Sequence, residues 1–186
     1  MAEELNDYSG PYKADLTFAD FSKEFLLKLM NVWQYAWLHL TECWYNSVRK
    51  RFGTTVANEC EHEAWINMGS RVNPRYAKVA GIQFNDITDC LKCMQLPLDN
   101  AFTSGLFPGQ FEIKSPNLAV MTLSDCQSLR FFEDHDPERI GWVCPMEGSI
   151  MEKYMVNPKA KARPIKLPPR ESKDDIACIW EFYLEE

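Results

Sequence analysis

The hydrophobic periodicity of the chain changes once, and that change limits the folds open to it. From about Asp20 to Val79, apolar residues recur at the three- and four-residue spacing of amphipathic helices; beyond Phe107-Pro108-Gly109 they alternate or run in short blocks, as strands do. A first helix is expected from about Asp20 to Phe52, carried by Phe21, Phe25, Leu29, Val32, Trp33, Ala36, Leu40, Trp44 and Val48. Asp20 or Ser22 can cap its start; Arg49, Lys50 and Arg51 suit its negative end, and Gly53 can close it. About 30 residues without a break would reach roughly 45 Å. Thr54 or Thr55 can begin a second helix running to about Met68, with Val56, Cys60, Ala64 and Trp65 as its buried side. Asn73-Pro74 marks an interruption, with more helix to Val79, and a short helix from Asn85 to about Met94 stops before Pro97.

In the second half, strands are expected at 110–114 and 118–123 around the turn Ser115-Pro116-Asn117, then at 162–167 and 176–184. Helical pieces at 127–133 and 145–154 lie between them. The fold class is therefore α+β: a helical N-terminal half packed on a C-terminal antiparallel sheet with short helices. The 186 residues suit a single domain, with an irregular arm at 1–17, a helical layer at 18–105 and the sheet with its helices at 106–186.

Charge excludes several classes of function. Lys and Arg number 20 against 27 Asp and Glu, a net charge of −7, so no nucleic-acid partner is expected. Charged and polar residues interrupt every apolar run well before ~20 residues, so no membrane span is expected either. The acidic opening lacks an apolar signal core, which points to a cytoplasmic location and reduced thiols. Neither a Walker loop nor a GxGxxG turn occurs, so no nucleotide cofactor is expected; GxSxG and HExxH are also missing.

Seven cysteines make thiol chemistry the main candidate. Cys126, His135, Cys144, Glu147 and Cys178 form the most informative set. Cys126 follows a strand, Cys144 and Glu147 are three apart at a helix start, and Cys178 lies in the last strand. Thiolate, imidazole and carboxylate are the ligands of a transition metal such as zinc or iron, here Cys126, Cys144, Glu147 and Cys178. The same groups could instead make a catalytic site of Cys144, Glu147 and His135, with a thiolate nucleophile and a neighbouring base; ordinary buried thiols are the plain alternative. Cys90-x-x-Cys93 sits within a helical segment, away from the strand-to-helix turn a thioredoxin site needs. Glu59-x-x-His62 has di-iron spacing but no second copy, so it reads as an exposed acidic helix face with Glu61 and Glu63. His39 and Cys43, four apart, form a weaker pair. Trp33, Trp37, Trp44, Tyr45 and Trp65 read as core or as a pocket wall, with Trp44, Tyr45 and Trp65 favoured for a ring-shaped ligand. Arg170, after two prolines, could receive a carboxylate bidentately, or could face Glu171, Asp174 and Asp175 at the surface.

The stretches at 15–25 and 167–182, with Cys126 and Cys144-x-x-Glu147, resemble a group of small uncharacterised proteins from anaerobic microbes. That group looks related to the L-2-amino-thiazoline-4-carboxylic acid hydrolases, and its closing Asp-x-x-Cys-x-Trp-x-Phe strand is similar to the end of the 4-vinyl reductase small-molecule-binding domain. The resemblance implies a helical layer before an antiparallel sheet, a cysteine-bearing site, and a small organic ligand, with a ring opened by water. The hydrolases carry Gly-Asp before the last Cys, whereas this chain has Asp174-Asp175-Ile176-Ala177.

Two functions are therefore expected. One is an enzyme that hydrolyses or hydrates a small cyclic carboxylated compound: the Cys/Glu site, with or without a metal, activates water or attacks the ring, Arg170 orients the acid and the aromatic wall packs the ring. The other is a non-catalytic small-molecule sensor or carrier, its cysteines holding a structural metal. Exposed aromatics on the first helix could also pair two copies as a homodimer.

Overall fold

The structure, a computed structural model, describes residues 4–97 and 107–185. The end of the expected helical layer, at 98–105, and residue 106 lie outside these. The class is α+β. The order is α1 (Lys23–Phe52), α2 (Thr54–Ala80), α3 (Ile87–Gln95), β1 (Gly109–Ser115), β2 (Leu118–Leu123), α4 (Gln127–His135), α5 (Ile140–Tyr154), β3 (Ala160–Lys166) and β4 (Cys178–Leu184). The chain divides into two compact units, one ending at Trp44 and the other beginning at Tyr45, so the boundary falls within α1. Among the described residues no helix is long and apolar enough to cross a membrane.

In the first unit, the Ser22 hydroxyl accepts the Phe25 N–H at 3.2 Å and caps α1. Leu5 and Phe21 form a parallel bridge, and Phe21, stacked on Phe25 with centroids 4.7 Å apart, is buried. Most of the apolar residues expected to bury α1 are exposed here, including Val32, Trp33, Ala36, Leu40 and Trp44.

The second unit is built around an antiparallel sheet in the order β1-β2-β4-β3. Alternation puts Ala119, Met121 and Leu123 of β2 on one face, opposite Phe182, Trp180 and Cys178 of β4. Trp180 and Phe182 are almost wholly buried, and each contributes roughly 2–3 kcal/mol of hydrophobic stabilisation. α3 packs against this sheet; its first N–H, from Ile87, donates to the Pro116 carbonyl of the β1–β2 turn, and Asp86 caps it by accepting the Asp89 N–H. α5 crosses β3 and sets Gly148 against the Trp180 ring of β4, and α2 lies along α5.

α2 departs from the sequence expectation in two ways. It passes through Pro74 without ending. Its buried positions are Ala57, Glu61, Gly69, Asn73 and Ala77, at multiples of four, whereas Val56 and Ala64 are exposed and Cys60 and Trp65 half-buried. Small residues face α5 because the two backbones run close: a Cβ on Gly69 would meet the Tyr154 ring at 3.0 Å. α5 itself starts at Ile140, five residues before Pro145, which lies within its first two turns.

Gly148 sets the closest approach of α5 to the sheet. A Cβ there would lie 2.9 Å from the ring of the buried Trp180. Gly148→Ala is therefore expected to destabilise the fold by about 1–3 kcal/mol in urea unfolding. Unchanged stability would show that the contact is loose.

Candidate functional site

The geometry of α5 over β4 brings the distant cysteines together. Cys178 is paired with Leu123, and the Ala177 N–H donates to the Leu123 carbonyl at 2.9 Å. Cys126, three residues past Leu123, is the N-cap of α4; its sulfur accepts the Leu129 N–H at 3.4 Å. On α5, Cys144 lies one turn before Gly148, which rests on Trp180. Cys126 and Cys178 both act electrostatically on Cys144, which puts the three sulfurs in one neighbourhood. The three half-buried thiols pack against the core, and the charge of Glu147 acts on all of them.

Their environment favours neutral thiols. Burial pushes Cys126 up to about 11 despite the Leu129 N–H, which lowers it, while Glu147 raises it further. Burial, then Glu147, pushes Cys144 up to about 12. Cys178 rises to about 12 through burial and the neighbouring Cys126, against a lowering hydrogen bond from Trp180. A thiol with such a value is a thiolate for less than roughly one part in ten thousand near pH 7, too little for an activated nucleophile. Among the described residues, no three His, Cys, Asp or Glu are arranged to hold a metal ion. The expected zinc or iron set Cys126, Cys144, Glu147 and Cys178 thus shares a neighbourhood without a ligand geometry; two of its sulfurs are already engaged by Leu129 and Trp180.

The other sequence candidates are used differently. His135 ends α4, exposed; its Nδ1 lies 3.0 Å from the Phe131 carbonyl, and its ring stacks on Phe131 at 4.7 Å. Tyr45 is fully buried beneath the Arg139 guanidinium, 3.5 Å from the ring centroid, and donates to Asn58 at 2.7 Å. Trp65 packs half-buried against the core, and Trp44, in the first unit, is exposed. Cys90 and Cys93 are buried, and burial pushes both up to about 11, as plain core thiols. His62 meets Ser149 of α5 at 2.7 Å, and the Cys43 sulfur lies 3.7 Å from His39 Nε2.

Arg170 is not open to a ligand's carboxylate. Its side chain is 1% exposed and donates through Nε and Nη2 to the two oxygens of Glu133, both at 2.8 Å, and through Nη1 to Asp125 at 3.5 Å and the Asp175 carbonyl at 3.3 Å. The bidentate carboxylate expected from a substrate is Glu133 of α4.

Sequence reading missed two features. The first is a buried pair: Arg139, in the 3-10 turn before α5, donates to Glu61 of α2, so Glu61 belongs to the interior and not to an exposed acidic face. Burial raises the Glu61 carboxyl despite the attraction of Arg139, and Glu61 Oε2 and Arg139 Nε lack hydrogen-bond partners among the described residues. The second is a cavity of about 240 Å³ beside the C-terminal end of α5, lined by Ser70, Pro74, Glu152, Lys153, Val156 and Lys161 among others. Val156, just past the helix, has φ of 65°, a strained conformation for a β-branched residue. Glu152 accepts the Ala162 N–H at 3.2 Å and lies 3.9 Å from the Lys161 ammonium, which is equally far from Glu185. The Asn157-Pro158 pair is the only sequence signal at this turn.

Two outcomes follow from these environments. In iodoacetamide labelling at pH 7.5, read by peptide mass spectrometry, exposed Cys43 is expected to react at least 100-fold faster than Cys126, Cys144 or Cys178. Comparable labelling of Cys144 would mean an activated thiolate. Arg170, by its hydrogen bonds, holds the Glu133 carboxyl below its usual range, so the pair contributes stability above about pH 4.5 that is lost as pH falls through the depressed value. Arg170→Met should accordingly cost about 3 kcal/mol near pH 7 and progressively less in acid. A cost independent of pH would contradict the pairing.

No curated protein matches the chain in sequence. Among solved structures, the crystal structure of a trafficking protein particle complex subunit 3 from Naegleria fowleri, covalently bound to palmitic acid, is similar over 86% of this chain and 97% of that one, at 11% identity and a TM-score of 0.42. The family of unknown function DUF6125 matches residues 19–184. With its helices, sheet and cysteine seam all inside that span, the chain belongs to this family.

Proposed function

We propose that the protein is a non-catalytic small-molecule sensor or carrier whose ligand is a small zwitterion, with its carboxylate and its ammonium both recognised. The observation that carries this reading is the cavity beside the end of α5, where groups of both signs meet on a strained turn. Its volume of about 240 Å³ suits a metabolite of amino-acid size, below the usual range of drug-sized sites. Glu152 and the negative end of α5 favour the ammonium. Lys153 and Lys161 favour the carboxylate; Lys153 forms no ion pair among the described residues. The resemblance to hydrolases of a cyclic amino-carboxylate supports the same ligand class, with these lysines in place of Arg170.

Catalysis draws less support. Hydrolysis by a thiolate requires an ionised Cys144, which burial and Glu147 oppose. Cys126, Cys144 and Cys178 act in this reading as neutral packing groups under the sheet.

The test is isothermal titration with free L-amino acids, alongside the matching amines without carboxylate and acids without ammonium. At least one amino acid should bind in the micromolar to millimolar range, at least tenfold more tightly than either half-molecule. Glu152→Gln and Lys161→Met should each weaken it at least tenfold, with no product formed on incubation. Absence of binding across the panel, unchanged binding in both variants, or turnover of a bound amino acid would overturn the reading.

A further inference from the structure

The first unit carries an apolar seam that its own residues cover only in part, chiefly where Phe18 meets the Trp33 ring edge-on at 5.5 Å and Gln34 is buried beside it. Leu26, Met30, Trp33, Trp37, Leu40 and Trp44 are spaced four, three, four, three and four, the a/d repeat of a coiled coil. Leu26 is half-buried; the other five are exposed by 40%, 41%, 40%, 63% and 38% in that order. Heptad positions beside the seam hold Leu27, Leu29, Gln34, Ala36, Thr41 and Cys43, none of them an acid or a base, while Glu24, Lys28 and Glu42 take positions on the outer side.

We propose that α1 pairs antiparallel with α1 of a second copy along this seam. The stripe is self-complementary about residue 35. Facing layers become Leu26 with Trp44, Met30 with Leu40, and Trp33 with Trp37, each layer repeated by the two-fold axis. Large rings then face smaller side chains at the ends, with an aromatic pair on each side of the centre. A parallel pair would instead set three Trp–Trp layers at equal height and align the two helix dipoles. Exposed seam side chains offer about 500 Å² per copy, roughly 1,000 Å² for the pair, the size at which specific interfaces begin; exposed Leu27 adds to it. This pairing is independent of the proposed ligand site, which lies wholly in the second unit.

Sedimentation equilibrium of the full chain at 1–100 μM should give twice the monomer mass. Trp33→Glu with Trp37→Glu should reduce it to the monomer, with the helical circular dichroism signal retained. In the antiparallel arrangement Leu29 and the partner copy's Cys43 are neighbours, whereas in a parallel one their heights differ by about 21 Å. Leu29→Cys should therefore cross-link on mild oxidation, and Cys43→Ser in that background should abolish the link. A wild-type monomer at 100 μM, a dimer that survives the double substitution, or a Leu29→Cys chain that does not link would each overturn the proposal.

Discussion

The close approach of α5 to β4 organises the second unit. Gly148 allows the helix backbone onto the Trp180 ring, and Cys144, one turn earlier, shares a neighbourhood with Cys178. Once the register is fixed, Cys126, at the end of β2, has little freedom in where it lies. The thiols meet where α5, the end of β2 and the start of β4 come together around the buried Trp180.

Two arginines of this unit direct their charge inward. Arg170 is buried and saturated by Glu133, Asp125 and a backbone carbonyl, tying the loop before β4 to α4. Arg139 sits between Glu61 and the faces of Tyr45 and Phe132, joining α2 to the start of α5. Such buried pairs contribute little net stability but are costly to break. The first pair also uses up Arg170, the arginine that the sequence assigns to a ligand's carboxylate, whereas Glu152, Lys153 and Lys161 line a cavity at the α5 end.

The sheet was legible because its signal is local: Leu118–Leu123 and the Ser115-Pro116-Asn117 turn announce a hairpin from a few residues. The sequence singled out Cys126, Cys144, Glu147 and Cys178 as a set, but the strand order β1-β2-β4-β3 that sets Cys178 beside Leu123 is not written in it, because antiparallel pairing alone allows β4 on either edge. What those groups do was not legible either. Whether a thiol is ionised depends on burial, and burial is set by α5 and the whole sheet. The face of α2 was misread for a similar reason: its inward residues Ala57, Glu61, Gly69, Asn73 and Ala77 are small or polar, chosen for close helix approach and one ion pair, so hydrophobicity points to the wrong side. Arg170 and Glu133, 37 positions apart, give no sequence sign of their pairing. Val156 is similarly silent, because nothing in the residue type signals a left-handed backbone.

The central claim, that the cysteine seam is neutral packing, is tested most directly by following the protonation of its thiols. With cysteine labelled by carbon-13 at Cβ, NMR titration from pH 6 to pH 10 should leave the Cys126, Cys144 and Cys178 resonances close to their neutral positions. A midpoint at or below pH 8 for any of the three would contradict it and return that sulfur to the list of reactive groups.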